Sequence, residues 1–106
     1  MDLRYILADP SGNTTAFVLS PVPPAQYGPV ARAVMKRLDA EQVAFVHDGR
    51  MDMMGGEFCG NASRSFALWR AYAAPDGLSL LPGLPRQETV IVSGAHHPLT
   101  VSLSAK

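Results

Sequence analysis

An antiparallel α+β domain, with about six strands curled around a central helix and a second helix packed outside, is the fold class this sequence predicts. Three observations predict it. Short runs rich in β-branched and aromatic residues recur in pairs, each pair separated by turn formers, so they read as hairpins. Two other stretches repeat apolar residues at steps of three and four, the pattern of amphipathic helices. The chain's 106 residues make residues 1–106 a single domain, long enough to bury roughly two-thirds of its unfolded surface.

Leu3 to Ala8 is a short apolar run in which Tyr5 and Ile6 favour a strand. Asp9-Pro10-Ser11-Gly12-Asn13 is dense in turn formers, and Thr14 to Ser20 resumes the strand pattern, which predicts a first hairpin. Pro21-Val22-Pro23-Pro24 is a stiff connector. A helix is then predicted from about Gln26 to Leu38, with Tyr27, Val30, Val34 and Leu38 on one face and Arg32, Lys36 and Arg37 on a solvated one.

Glu41 to Val46 and Arg50 to Met54 read as strands joined by the turn His47-Asp48-Gly49, a second hairpin. Met51 and Met53 share one face of the later strand, Asp52 and Met54 the other. His47, beside Asp48 in the turn, reads as a surface residue rather than a general base. The central helix runs from about Asn61 to Ala74, its apolar face drawn through Phe58, Ala62, Phe66, Trp69 and Ala73. Ala73-Ala74-Pro75-Asp76-Gly77 ends it, and Leu78 to Arg86 is a loop punctuated by proline and glycine. A third hairpin follows, Gln87 to Ser93 and Leu99 to Leu103 about the turn Gly94-Ala95-His96-His97-Pro98.

Nine basic and nine acidic residues give zero formal net charge, and 47% of the chain is hydrophobic. Neither nucleic acid nor a membrane surface is an expected partner. One cysteine excludes an intrachain disulfide and fits a reducing compartment. With no basic leader and no apolar run near the ~20 residues a bilayer span needs, the expected location is the cytoplasm. His96 and His97 are adjacent, so on a strand they point to opposite faces, and no metal site is expected.

The candidate chemistry lies in Met53-Met54-Gly55-Gly56-Glu57-Phe58-Cys59-Gly60-Asn61-Ala62-Ser63-Arg64. A lone cysteine ordinarily packs into a core. Here Gly55, Gly56 and Gly60 allow a tight, approachable turn that an inert core position does not need. Cys59 falls at or just before the start of the central helix. The unpaired N–H groups of Gly60, Asn61 and Ala62 can receive an anion there, and the same field favours a thiolate. A reactive sulfur beside a carboxylate site suits chemistry on an amino acid.

The run from Glu57 to Arg64 resembles the Cys-Gly-Asn-Gly-Ala-Arg signature of the diaminopimelate epimerase family of cofactor-independent amino-acid racemases and epimerases. It is still more similar to the branch that includes the histidine racemases of opine-metallophore biosynthesis, where a Gly-Gly-Glu-Phe-Cys-Gly-Asn-Ala run occurs. Asp9 to Phe17 resembles the family's N-terminal Gly-Asn-Asp-Phe segment, whose Asn meets the substrate. Glu41 to Val46 resembles the Asp-Gln strand whose Gln lines the pocket. The three motifs keep order and spacing along the whole chain.

The resemblance implies a small barrel-like sheet wrapped on a helix, one of the two such halves from which the family is built; this chain matches the N-terminal half. It implies no cofactor, and an acid/base pair of cysteines, one from each half, of which Cys59 is one. Gly60 and Asn61 would present N–H groups to the substrate α-carboxylate. Asn13 and Gln42 would hold its ammonium and side-chain end. Arg64 lies inside the helix and reads as structural, Glu57 as a residue that orients the loop. Ser65 stands where classical epimerases carry a further cysteine. Met53-Met54 replaces their Asn-Ala-Asp-Gly run, which favours histidine or a similar amino acid over diaminopimelate.

The second cysteine must come from a C-terminal half domain or from a second copy of the chain, the former being preferred because it needs no new isologous interface. The isolated chain is expected to be inactive. Two other readings stand beside this one. A phenazine-biosynthesis-type isomerase shares the fold but uses a carboxylate where Cys59 stands. A non-catalytic module of the same fold would bind an amino acid or a partner chain without turnover.

Overall fold

The computed structural model describes residues 3–8, 14–73 and 86–103. In chain order its elements are β1 (Tyr5–Ala8), β2 (Thr15–Val18), α1 (Tyr27–Leu38), β3 (Gln42–His47), β4 (Arg50–Met53), α2 (Gly60–Ala73), β5 (Arg86–Val92) and β6 (Leu99–Leu103). The strands form one six-stranded sheet whose spatial order equals their order in sequence. The three expected hairpins are present, with β1/β2, β3/β4 and β5/β6 each antiparallel. In the central one, Asp48 (φ 49°) and Gly49 (φ 76°) both take positive φ, the tight turn that Asp-Gly favours because its twist matches that of the flanking strands.

The sheet as a whole is mixed, which corrects the antiparallel expectation. β2 runs parallel to β3, with Thr15 opposite Gln42 and Phe17 opposite Ala44, and β4 runs parallel to β5, with Met51 opposite Val92. Each parallel pair is joined through a helix. A chain that leaves a strand, passes through a helix and returns beside it runs in its original direction, as a crossover must.

The two helices lie on opposite faces of the sheet. Phe17, Ala44, Met51, Met53, Val90 and Val92 pack against Ala62, Phe66 and Ala67 of α2. The alternate residues Ala16, Val18, Val43 and Phe45 pack against Ala31 and Val34 of α1. Strand periodicity of two divides each strand between the two cores. The β3/β4 hairpin reverses the strand direction while the chain keeps stepping across the sheet the same way. One preferred hand for both crossovers then puts the second helix on the other side.

On α1, Tyr27 stacks flat on Phe45 with ring centroids 4.0 Å apart. The helix ends at Asp39 in the left-handed conformation, with Lys36 and Arg37 in its last turn, where positive charge complements the carbonyl end. On α2 the buried residues are Ala62, Ser63, Phe66, Ala67 and Ala71. Phe58 and Ala73 are exposed, contrary to the expected apolar face. Phe58 precedes the first helical turn, and the buried residues of the helix are small except for Phe66, its one large fully buried side chain, with Trp69 packed against the same cluster.

Candidate active site around Cys59

Cys59 immediately precedes α2 and caps it. Its carbonyl accepts the Ser63 N–H at 2.9 Å and the Ser63 hydroxyl at 2.8 Å. The cysteine is therefore placed where the sequence predicted. The N–H groups of Gly60, Asn61 and Ala62, in the first helical turn, have no intrahelical acceptor and form the positive end of the helix dipole.

The loop leading to Cys59 is held from both ends. Gly56, at φ 75°, donates its N–H to the Met53 carbonyl at 2.9 Å. The Glu57 carboxylate accepts the Gly55 N–H at 3.0 Å, which fits its expected role of orienting the loop. From the β5–β6 turn, the buried Ser93 hydroxyl donates to the Glu57 carbonyl at 2.7 Å and accepts the Met53 N–H at 2.8 Å. Its neighbour Gly94, at φ 77°, lies against the Phe58 backbone. Sequence reasoning did not single out Ser93 or Gly94. The sequence predicts Ser93 as the end of a strand and Gly94 as the start of a turn, and only the β4/β5 pairing reveals what the two touch.

Gln42, at the start of β3, reaches the sulfur: the Cys59 S–H donates to Gln42 Oε1 at 3.5 Å. The Thr15 hydroxyl donates to the same oxygen at 3.2 Å. Thr15 is fully buried and was missed as well, because its place beside Gln42 follows from the parallel β2/β3 register. The Asn61 side-chain oxygen accepts a hydrogen bond from the Arg64 guanidinium, so Arg64 serves as a structural partner on the helix. Cys59, Gln42, Gly60 and Asn61 are thus brought together. Asn13 lies outside the described residues.

A second polar cluster sits on the α1 face and includes His47. Its Nε2 is 2.7 Å from Asp52 Oδ2, the same oxygen that accepts the Tyr27 hydroxyl at 3.3 Å. Arg50 donates to Asp52 Oδ1 from Nε at 3.2 Å and from its terminal nitrogen at 2.9 Å. His47 is partly exposed but tied to Asp52 rather than free in the turn, a correction to its reading as a plain surface residue. Burial raises the Asp52 carboxyl, and the hydrogen bonds from His47 and Arg50 outweigh it, holding the group below its ordinary value. Burial, reinforced by the Asp52 charge, pushes the Tyr27 hydroxyl up.

Two clefts lie away from Cys59. One of about 560 Å³ runs between α1 and β1, bounded by Leu3, Tyr5, Val30 and Leu38. The other, of about 410 Å³, opens beside Trp69, Arg70 and Glu88 at the far end of α2. Among the described residues no group of His, Cys, Asp and Glu is arranged to hold a metal ion. No helix among them is long and apolar enough to cross a membrane.

Known proteins resemble this chain over the same region. Two curated relatives, both named histidine racemase and both from strains of Fusobacterium nucleatum subsp. nucleatum, are 40% identical to it over 77 residues. The aligned stretch covers 70% of this chain and 29% of each relative, so the chain spans less than a third of the length of the proteins it matches. The family described as the histidine racemase CntK N-terminal domain matches residues 2–106. The chain belongs to that family of N-terminal racemase domains.

Proposed function

We propose that this domain is the N-terminal half of a histidine racemase that works without pyridoxal phosphate, with Cys59 as one of two acid/base groups. The observation that carries the proposal is the placement of Cys59 as the cap of α2, its sulfur beside Gln42 and its neighbours' N–H groups at the positive end of the helix.

Racemisation needs one group to remove the α-proton and another to deliver a proton to the opposite face. The α-proton of an amino acid is weakly acidic, so both groups must sit against the carbon where charge on it is stabilised. Cys59 takes one of these roles, as thiolate in one direction and as thiol in the other. The Gly60 and Asn61 N–H groups receive the α-carboxylate, while Gln42 and Asn13 address the ammonium and side-chain end. The opposing group comes from a C-terminal half, which the greater length of the relatives accommodates, and the two halves close over the partly buried Cys59. The mixed sheet serves as the barrel-like half wrapped on α2. The working location is a reducing cytoplasm, and opine-metallophore biosynthesis is the pathway proposed.

The test is hydrogen–deuterium exchange at Cα in D2O, under reducing conditions, for L- and D-histidine with diaminopimelate as the comparison. The 106-residue chain is assayed alone and with the C-terminal part of a relative. Exchange of histidine that Cys59→Ser abolishes supports the reading. Exchange that survives Cys59→Ser would refute the role of the sulfur. Histidine binding without exchange in either sample would favour a non-catalytic module.

A further inference from the structure

We propose that Ser93 is a positioning residue for Cys59, an inference that rests on Cys59 being an acid/base group. Ser93 is buried and stands where β5 leaves β4. Met51 lies opposite Val92, and the Ser93 N–H, bonded to the Met51 carbonyl at 2.9 Å, closes the strand pairing. Beyond that point the side chain takes over from the backbone. The hydroxyl accepts the Met53 N–H at 2.8 Å and donates to the Glu57 carbonyl at 2.7 Å. An N–H only donates and a carbonyl only accepts, so the partners fix the direction of both bonds. One oxygen thereby ties together the two ends of the Met53–Glu57 turn.

The carbonyl it holds belongs to the Glu57–Phe58 peptide. A peptide unit is planar and rigid, so holding its oxygen also orients the Phe58 nitrogen. The Gly94 backbone lies against that nitrogen and against the Phe58 Cα. On the other side, the Cys59 carbonyl is held by the Ser63 N–H and hydroxyl. Cys59 is thus spanned between two held peptide groups, one fixed by the β5–β6 hairpin and one by α2. Displacing an acid/base group by about 1 Å can cost on the order of 100-fold in rate. Ser93 therefore governs turnover, while capture of the carboxylate belongs to the N–H groups of α2.

Amide hydrogen exchange, read by NMR on the 106-residue chain as wild type, Ser93→Ala and Ser93→Thr, tests this. In the wild type the Met53 N–H, whose acceptor is the Ser93 hydroxyl, should be protected alongside the amides of β3, a central strand. Ser93→Ala should speed exchange at Met53, Gly56 and Ser63 roughly tenfold more than in β3. Ser93→Thr, which keeps the hydroxyl, should stay near the wild type. A general loss of stability would speed every amide by one factor. Equal factors in the loop and in β3, or an unprotected Met53 in the wild type, would overturn the proposal.

Should Ser93→Ala fail to fold, the wild type decides alone: as urea is raised, Met53 and Ser63 must open together, and Ser63 opening while Met53 stays protected would overturn it. In the Cα exchange assay with a C-terminal part present, Ser93→Ala should lower kcat for histidine about tenfold or more and leave KM little changed. A raised KM at unchanged kcat would refute the positioning role. Absence of Cα exchange in the wild type would refute the racemase reading instead. The amide pattern needs neither histidine nor a second half, and still decides whether Ser93 holds the Cys59 segment.

Discussion

Gly94 and Phe58 meet backbone to backbone: a Cβ at Gly94 would fall 2.4 Å from the Phe58 nitrogen and 2.8 Å from its Cα. Since Phe58 directly precedes Cys59, the β5–β6 turn bears on the geometry of the sulfur.

Gly94→Ala meets two penalties, a positive φ of 77° and that overlap. The expected loss is about 1–3 kcal/mol, with the Phe58–Cys59 segment displaced. Urea denaturation checks the first, and a changed rate of Cys59 alkylation checks the second.

Ser93→Ala removes a hydroxyl that bridges the Met53 N–H and the Glu57 carbonyl. Leaving these groups unpaired beside the core should cost about 1–3 kcal/mol. Ser93→Thr, which retains the hydroxyl, should lose less, and equilibrium unfolding of the two variants distinguishes lost bonding from lost packing.

Phe66 is fully buried and is the one large buried side chain of α2. Phe66→Ala should destabilise the domain by about 3–5 kcal/mol through the cavity it leaves. The exposed Tyr72, on the outer side of the same helix, serves as control, since Tyr72→Ala should change stability by no more than about 0.5 kcal/mol.

Asp52 is held below its ordinary carboxyl value in the fold. The folded state therefore binds this proton less readily than the unfolded chain does. The stability so gained is fully present above the ordinary carboxyl range and is lost as pH falls through the lowered value. Urea midpoints measured at neutral pH and at about pH 3 should fall more steeply for wild type than for Asp52→Asn. Equal acid losses in both proteins would show that Asp52 contributes nothing to the slope.

The elements were legible in the sequence because each leaves a local trace. Asp48-Gly49 marks its hairpin, the steps of three and four from Tyr27 to Leu38 mark a helix, and glycines around Cys59 mark a turn before another. Strand direction leaves no such trace, since alternation such as Val43-Ala44-Phe45 is the same whether the neighbour runs parallel or antiparallel. The connection does carry the information. Two strands separated by a full helix have the chain length a parallel crossover needs, and reading β2–α1–β3 that way would have set Thr15 beside Gln42. Cys59 and Gln42 were legible from their motifs, whereas Ser93 and Gly94 were not, because what they do depends on a pairing forty residues back in the chain, Met53 with Ser93.

That separation also orders events during synthesis. The ribosome releases Cys59 and the helix it caps before Ser93 and Gly94 exist, so the nascent chain carries a sulfur whose surroundings are unfinished. A protein translated only as far as α2 would possess the cysteine without its setting. The final hairpin is what turns a thiol into a positioned one.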